Sequence, residues 1–399
     1  MNKLSNRVNA LAESATIAMA QKARELKAEG KDIISLSLGE PDFKTPLHVQ
    51  EAAKSAIESE EFFSYPPVPG YPDLRAAIAE KLQLENKIEC TANNIVISTG
   101  AKHSIANVFL ALLNPGDEVI VYSPFWVSYI EMIKLAEGVP VMLEGSLEQD
   151  FKASAEQLAA AITDKTRAVI FSSPCNPTGA VWSKEELLAM SEVLKQHDDI
   201  TLIADEIYEY INFTEEGHTS IASLPGMADK TVTVNGFSKG YAMTGWRVGY
   251  ICAPEYIAKA CAKLQGQMTS GNSSIAQRAA LSAIAGEQTP RKEMAKAYRE
   301  RRSLVKGLLD EIPGVKTPMP EGAFYFFPDV SHYFGTSSES TSVNNSNDLA
   351  LYLLADANVS TVSGDAFGAP NCIRMSYAAS EEQLKEALER IKNSLAKLK

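Results

Sequence analysis

Lys239 stands in Ser238-Lys239-Gly240-Tyr241-Ala242-Met243-Thr244-Gly245, and Arg247 follows in Trp246-Arg247-Val248-Gly249. A lone lysine is usually a solvated surface charge. Here Ser238, Gly240, Ala242 and Gly245 make a tight crevice instead. A water-poor crevice lowers an ammonium pKa and frees the amine for carbonyl chemistry and proton transfer, while a nearby arginine offers a permanent cation for a phosphate.

Five further groups along the chain could share a site with it. Thr99-Gly100-Ala101-Lys102 opens a helix with small residues, so backbone N–H groups and the helix dipole can hold an anion there. Asp205, in Ala204-Asp205-Glu206-Ile207-Tyr208, follows an apolar run where a carboxylate is costly unless paired, although it could simply cap a helix. Asn176 lies in Asn176-Pro177-Thr178-Gly179, which as a bare pattern is a turn. Arg374 sits in the apolar run Ile373-Arg374-Met375-Ser376, where a guanidinium needs a partner. Trp126, in Ser123-Pro124-Phe125-Trp126, reads equally as a core ring or as a stacking surface.

Taken together from Leu38-Gly39-Glu40-Pro41-Asp42 onward, these motifs resemble the fold-type I pyridoxal-phosphate enzymes, specifically the class I aminotransferases. The resemblance implies that Lys239 forms the Schiff base with the cofactor and then carries the proton from the substrate Cα. It implies that Asp205 pairs with the pyridine nitrogen, that Tyr208 and Asn176 reach the ring's phenolic oxygen, and that Trp126 stacks on the ring. Gly100, Ala101, Lys102, Ser238 and Arg247 would surround the phosphate, joined by Tyr65 from the second subunit of a homodimer. Gly39 and Arg374 would hold the substrate α-carboxylate, with Trp126 and Asn176 beside it. Several relatives carry a serine where this chain has Gly236, so one phosphate donor is expected to be missing.

Within the family the chain is most similar to the bacterial aspartate (aspartate/prephenate) branch, in which a threonine and a lysine bind the distal carboxylate. Ser14-Ala15-Thr16 and Lys102 occupy those positions. The expectation is transfer of the amino group of aspartate, or another acidic amino acid, to 2-oxoglutarate by a ping-pong mechanism. Small molecules, namely amino acids and 2-oxo acids, are then the partners. Aromatic, alanine-type or prephenate aminotransferases and a β-lyase of the same fold are the alternatives. A cofactor-sensing regulator would need a DNA-binding module, for which the chain shows no basic segment.

Bulk properties agree with an enzyme of this kind. The chain has 399 residues, 45% of them hydrophobic, and a net charge of −12 that argues against nucleic acid or anionic membrane as partners. Its five cysteines are scattered, with neither metal-clip nor redox spacing, which reads as buried thiols in the cytoplasm and no metal site. No apolar run approaches a membrane span.

Helical periodicity covers 18–29, 47–59, 74–84 and 103–113, and short apolar runs predict strands at 95–98, 118–122, 140–143, 168–171, 201–204, 231–234 and 248–252. The alternation predicts an α/β fold whose large domain has a mostly parallel seven-stranded sheet between helices, with the site at the carboxyl ends of the strands. Residues 291–399 read as a smaller α+β domain: a helix over 291–311, strands near 323–327, 359–362 and 372–376, and a last helix from Glu381. Segment 1–45 is expected to join that domain, leaving 46–290 as the large cofactor-binding domain. The Ser/Thr/Asn-rich stretch 335–348 reads as a mobile surface loop.

Overall fold

The computed structural model describes residues 3–339 and 341–399. Seven short, β-branched segments form its central sheet: β1 (Ile95–Ser98), β2 (Glu118–Ser123), β3 (Val139–Glu144), β4 (Thr166–Ser172), β5 (Thr201–Asp205), β6 (Thr231–Gly236) and β7 (Gly249–Cys252). They lie in the order β1-β7-β6-β5-β4-β2-β3. Val169, Ile170, Ile203, Val232 and Val234 are fully buried, as expected where helices cover both faces.

One strand departs from the parallel pattern. β7 runs antiparallel to both neighbours, pairing Ser98 and Gly236 with its first residue, Gly249. The carboxyl ends of the other strands and the beginning of β7 therefore share one edge, which brings Arg247 beside the residues that follow β1. Glycine is required at this junction, since a Cβ on Gly249 would lie 2.3 Å from Ala101 N. A Cβ on Gly236 would lie 2.9 Å from both Gly249 Cα and Val248 O, so a larger residue there would require the β6–β7 junction to shift.

Apolar residues around Ile34, Leu36, Tyr298, Phe324, Phe326 and Leu388 form a separate cluster from those flanking the sheet. It is built on the helix Thr289–Asp310, whose Met294, Tyr298, Val305 and Leu309 make a buried stripe at helical spacing. Truncating a fully buried ring such as Phe324 would cost about 3–5 kcal/mol. Ile34–Ser35 pairs in parallel with Val359–Ser360, so the N-terminal segment is stitched to the C-terminal part of the chain.

Two expectations are corrected here. The predicted strand 359–362 is two strands with different partners: Val359–Ser360 meets Ile34–Ser35, and Val362–Ser363 meets Ile373–Ser376. The stretch 335–348, apart from Ser340, which lies outside the described residues, holds a hairpin of Thr336–Ser337 and Ser342–Val343 and the start of the helix Ser346–Tyr352. Its polar composition hid two anchors: Val343 is fully buried, and the Asn345 side chain caps the helix through Asn347 N and Asp348 N at 3.0 and 2.9 Å. No helix among the described residues is long and apolar enough to cross a membrane.

Candidate active site

A cavity of about 510 Å³ opens at the shared strand edge. Its walls include Thr16, Gly39, Ala101, Lys102, Trp126, Asn176, Asp205, Tyr208, Ser238, Lys239, Arg247 and Arg374. Gly100 lies against Arg247 at the same place. Tyr65 alone is not brought in by this chain, being 90% exposed outside the cavity.

Lys239 follows β6, and the crevice expected around it is formed at Gly240, where a Cβ would lie 2.5 Å from the Tyr210 ring, but not at Gly245, which is exposed with open space around its Cα. Its Nζ donates to the Gly39 carbonyl and sits 5.7 and 5.8 Å from the rings of Tyr208 and Phe324. Burial lowers its pKa to about 8, opposed by the Glu40 charge and reinforced by Arg374 and Arg247. The amine is thus available near neutral pH, as a base or nucleophile requires.

Asp205 ends β5 fully enclosed. Burial raises its pKa to about 6, against the hydrogen bond that Tyr129 donates to Oδ2 at 2.6 Å and the Ile207 N–H at 3.2 Å from Oδ1. Tyr208 shares a 2.7 Å hydrogen bond with Tyr325. Arg374, 2% exposed, donates to Asn176 Oδ1 at 2.9 Å and to Ser37 O at 2.6 Å, both neutral acceptors, and stacks 4.6 Å from the Tyr325 ring. Its Nε has no protein partner among the described residues, and neither has the buried Thr16 hydroxyl. Orphaned buried donors are expensive in a closed protein and inexpensive where a ligand completes them.

An anion cradle lies at the start of the helix Ala101–Leu112. Gly100 precedes it at φ +83°, and no side chain caps the first turn. A Cβ on Gly100 would lie 2.3 Å from Arg247 Nη2, so glycine lets the guanidinium reach the open helix end. Arg247 is itself in the left-handed region at φ +57°, fixed by Nη1 donating to Thr244 O at 2.8 Å. Lys102 lies 5.0 Å from the Trp126 ring, its pKa lowered by burial and by Arg247. Trp126 meets Tyr129 edge-on at 5.5 Å.

Tyr129, Tyr325 and Ser37 were not legible as site residues, because each acts on a group far away in sequence. Tyr129 carried a weak signal, lying one helical turn after Trp126.

An amine activated by burial, a buried carboxylate and an uncapped helix end on one edge of an α/β sheet fit a phosphorylated pyridine aldehyde, and with this fold they define a fold-type I pyridoxal-phosphate enzyme. Residues 31–391 match the family described as Aminotransferase class I and II, and the chain belongs to that family. Among curated relatives it is 46% identical to a Petunia hybrida bifunctional aspartate aminotransferase and glutamate/aspartate-prephenate aminotransferase, over 99% of this chain and 83% of the relative. It is 43% identical to the Bacillus subtilis aspartate aminotransferase, over 99% of each. Among solved structures it is similar to an aspartate aminotransferase from Rhizobium meliloti, with TM-score 0.96, 40% identity and 100% of each chain covered. A Thermus thermophilus aspartate aminotransferase with maleate has TM-score 0.93 and 41% identity, over 99% of this chain and 100% of the other.

Proposed function

We propose that this aminotransferase moves the amino group of aspartate, or another acidic amino acid, to 2-oxoglutarate. The observation that carries the proposal is that Arg374 and Lys102 line one cavity with the orphaned Thr16 hydroxyl, in addition to the Lys239 and Arg247 that the cofactor would engage. A dicarboxylate needs two such contacts, and each charged hydrogen bond contributes about 1.5–3 kcal/mol. The names of the relatives support the same substrate class.

Each side chain then has a task. Arg374, with the Gly39 backbone beside it, holds the α-carboxylate, and Lys102 with Thr16 the distal one. Gly100, Ala101, Ser238 and Arg247 hold the cofactor phosphate, Asp205 keeps a proton on the ring nitrogen, and Tyr208 and Asn176 serve the phenolic oxygen against the Trp126 face. The bound cofactor supplies an electron sink for the pair left at the substrate Cα. Lys239 Nζ takes the Cα proton and returns it, which its lowered pKa allows at neutral pH.

The working form is a cytoplasmic homodimer whose second copy brings Tyr65 to the phosphate; the high exposure of Tyr65 and of Phe63, at 65%, supports an intersubunit role. Segments 1–45 and 291–399 form its smaller domain and 46–290 the larger. Turnover of an amino-acid panel against 2-oxoglutarate tests the reading. Aspartate and glutamate should lead; preference for phenylalanine or alanine, or ketone formation without acceptor turnover, would replace it.

A further inference from the structure

Behind the Asp205–Tyr208 turn, on residues the reaction does not use, lies a second set of buried charges. Glu206 and Glu209 have side chains 2% and 4% exposed, and Lys81 and His218 face them at 6% and 9%. Lys81 pairs with Glu209, whose other oxygen accepts from Asn86 Nδ2 at 2.7 Å. Burial alone would raise Glu209, but Lys81 and His218 hold it below the usual range. Glu206 Oε1 accepts from Ser220 at 2.6 Å, while its Oε2 lies 2.9 Å from His218 Nε2. Charge is the main component of this contact, with a poorly aligned hydrogen bond between the two atoms adding to it.

Counting charges in this enclosed space is decisive. Lys81 neutralises one carboxylate, and the second has only His218. Glu85, 43% exposed, lies 3.7 Å from Lys81 and is matched by Arg291 at 3.5 Å, near solvent. From the sheet, Tyr250 lies within reach of both carboxylates and Cys252 within reach of Glu206; burial holds the tyrosine neutral, and its Cys90 partner together with burial holds the thiol neutral. Burial alone would lower His218, but Glu206 and then Glu209 raise it above the ordinary imidazole value. The Glu206 charge in turn acts on Asp205, its neighbour in the chain.

We propose that His218 is a positioning residue: as an imidazolium wedged against Glu206 and Glu209 it cancels the one uncompensated negative charge behind the turn, and so keeps Asp205 ionised at neutral pH. The same three residues could suggest a metal site, but Glu209 is already committed to Lys81 and Asn86. Only the catalytic consequence rests on Asp205 serving the ring nitrogen; the electrostatic relation holds for the apoprotein alone.

The test is a charge-balance cycle in the cofactor-free protein, following Asp205 by ¹³C NMR titration with Asp205→Asn as the assignment. His218→Gln should raise the Asp205 midpoint by about one pH unit, the order expected of one uncompensated charge in the same enclosed region at an effective dielectric of about 20. Glu206→Gln/His218→Gln restores neutrality and should return it to the wild-type value. No shift in the single variant, or an equal shift in the double, would overturn the proposal. Should either variant fail to fold, titration of the His218 ring in the wild type decides: a midpoint above 6.5 supports it, and a ring neutral throughout pH 5.5–8 sinks it. A normal cycle in an enzyme insensitive to Asp205→Asn would instead leave the proposal standing and remove the role assigned to Asp205.

Discussion

The Tyr129 hydroxyl donates to Asp205 Oδ2 at 2.6 Å, and both groups are fully enclosed. This bond favours the carboxylate that burial disfavours. Tyr129→Phe should therefore move the Asp205 midpoint of the cofactor-free protein, followed by ¹³C NMR, upward from about 6 by about one unit for a bond worth about 1.5 kcal/mol. An unmoved midpoint would show that the tyrosine serves packing alone.

Lys239 gives a stability prediction with a defined sign. Folding lowers its pKa from 10.5 to about 8, so between those values the unfolded chain holds a proton that the folded chain has released. Stability then rises with pH across that window, and below pH 8 the full cost of the buried ammonium stands. Lys239→Met should stabilise the apoprotein at pH 7 by up to about 3 kcal/mol, a gain that fades toward pH 10.5 while transamination falls at least about 10³-fold. Chemical denaturation at pH 7 and 10 checks it.

Lys102→Ser should lower kcat/KM for aspartate and glutamate about 10- to 100-fold, or about 1.4–2.8 kcal/mol, and affect phenylalanine far less. Because Lys102 also adjoins Arg247, cofactor affinity must be measured in the same variant. Equal losses with the cofactor bound would show that this lysine does not read the side chain.

Gly100→Ala places a methyl where Arg247 Nη2 now lies and strains a residue at φ +83°. Cofactor dissociation should become at least about tenfold faster, with the melting temperature of the apoprotein lowered only modestly, since the strain of one positive-φ alanine is about 1–2 kcal/mol. Unchanged cofactor retention would remove the cradle from the phosphate site.

The sequence by itself carried the groups whose chemistry is local. Lys239 in its small-residue turn, Gly100 before an uncapped helix and Asp205 at a strand end each depend on the backbone of a few neighbouring residues, and each strand of the sheet was visible as a short apolar run. The polar hairpin at 336–343 was not, because a single buried valine anchors it. What tuned those groups was decided only in three dimensions: Tyr129 reaches Asp205 across 76 residues, Tyr325 reaches Tyr208 across 117, and Arg374 reaches Asn176 across 198. The reversed direction of β7, which delivers Arg247 to Gly100, and the pairing of Lys81 with Glu209 belong to the same class. Periodicity reports which face of an element is buried; it does not report which distant face will meet it, and a buried charge or hydroxyl takes its pKa from that encounter.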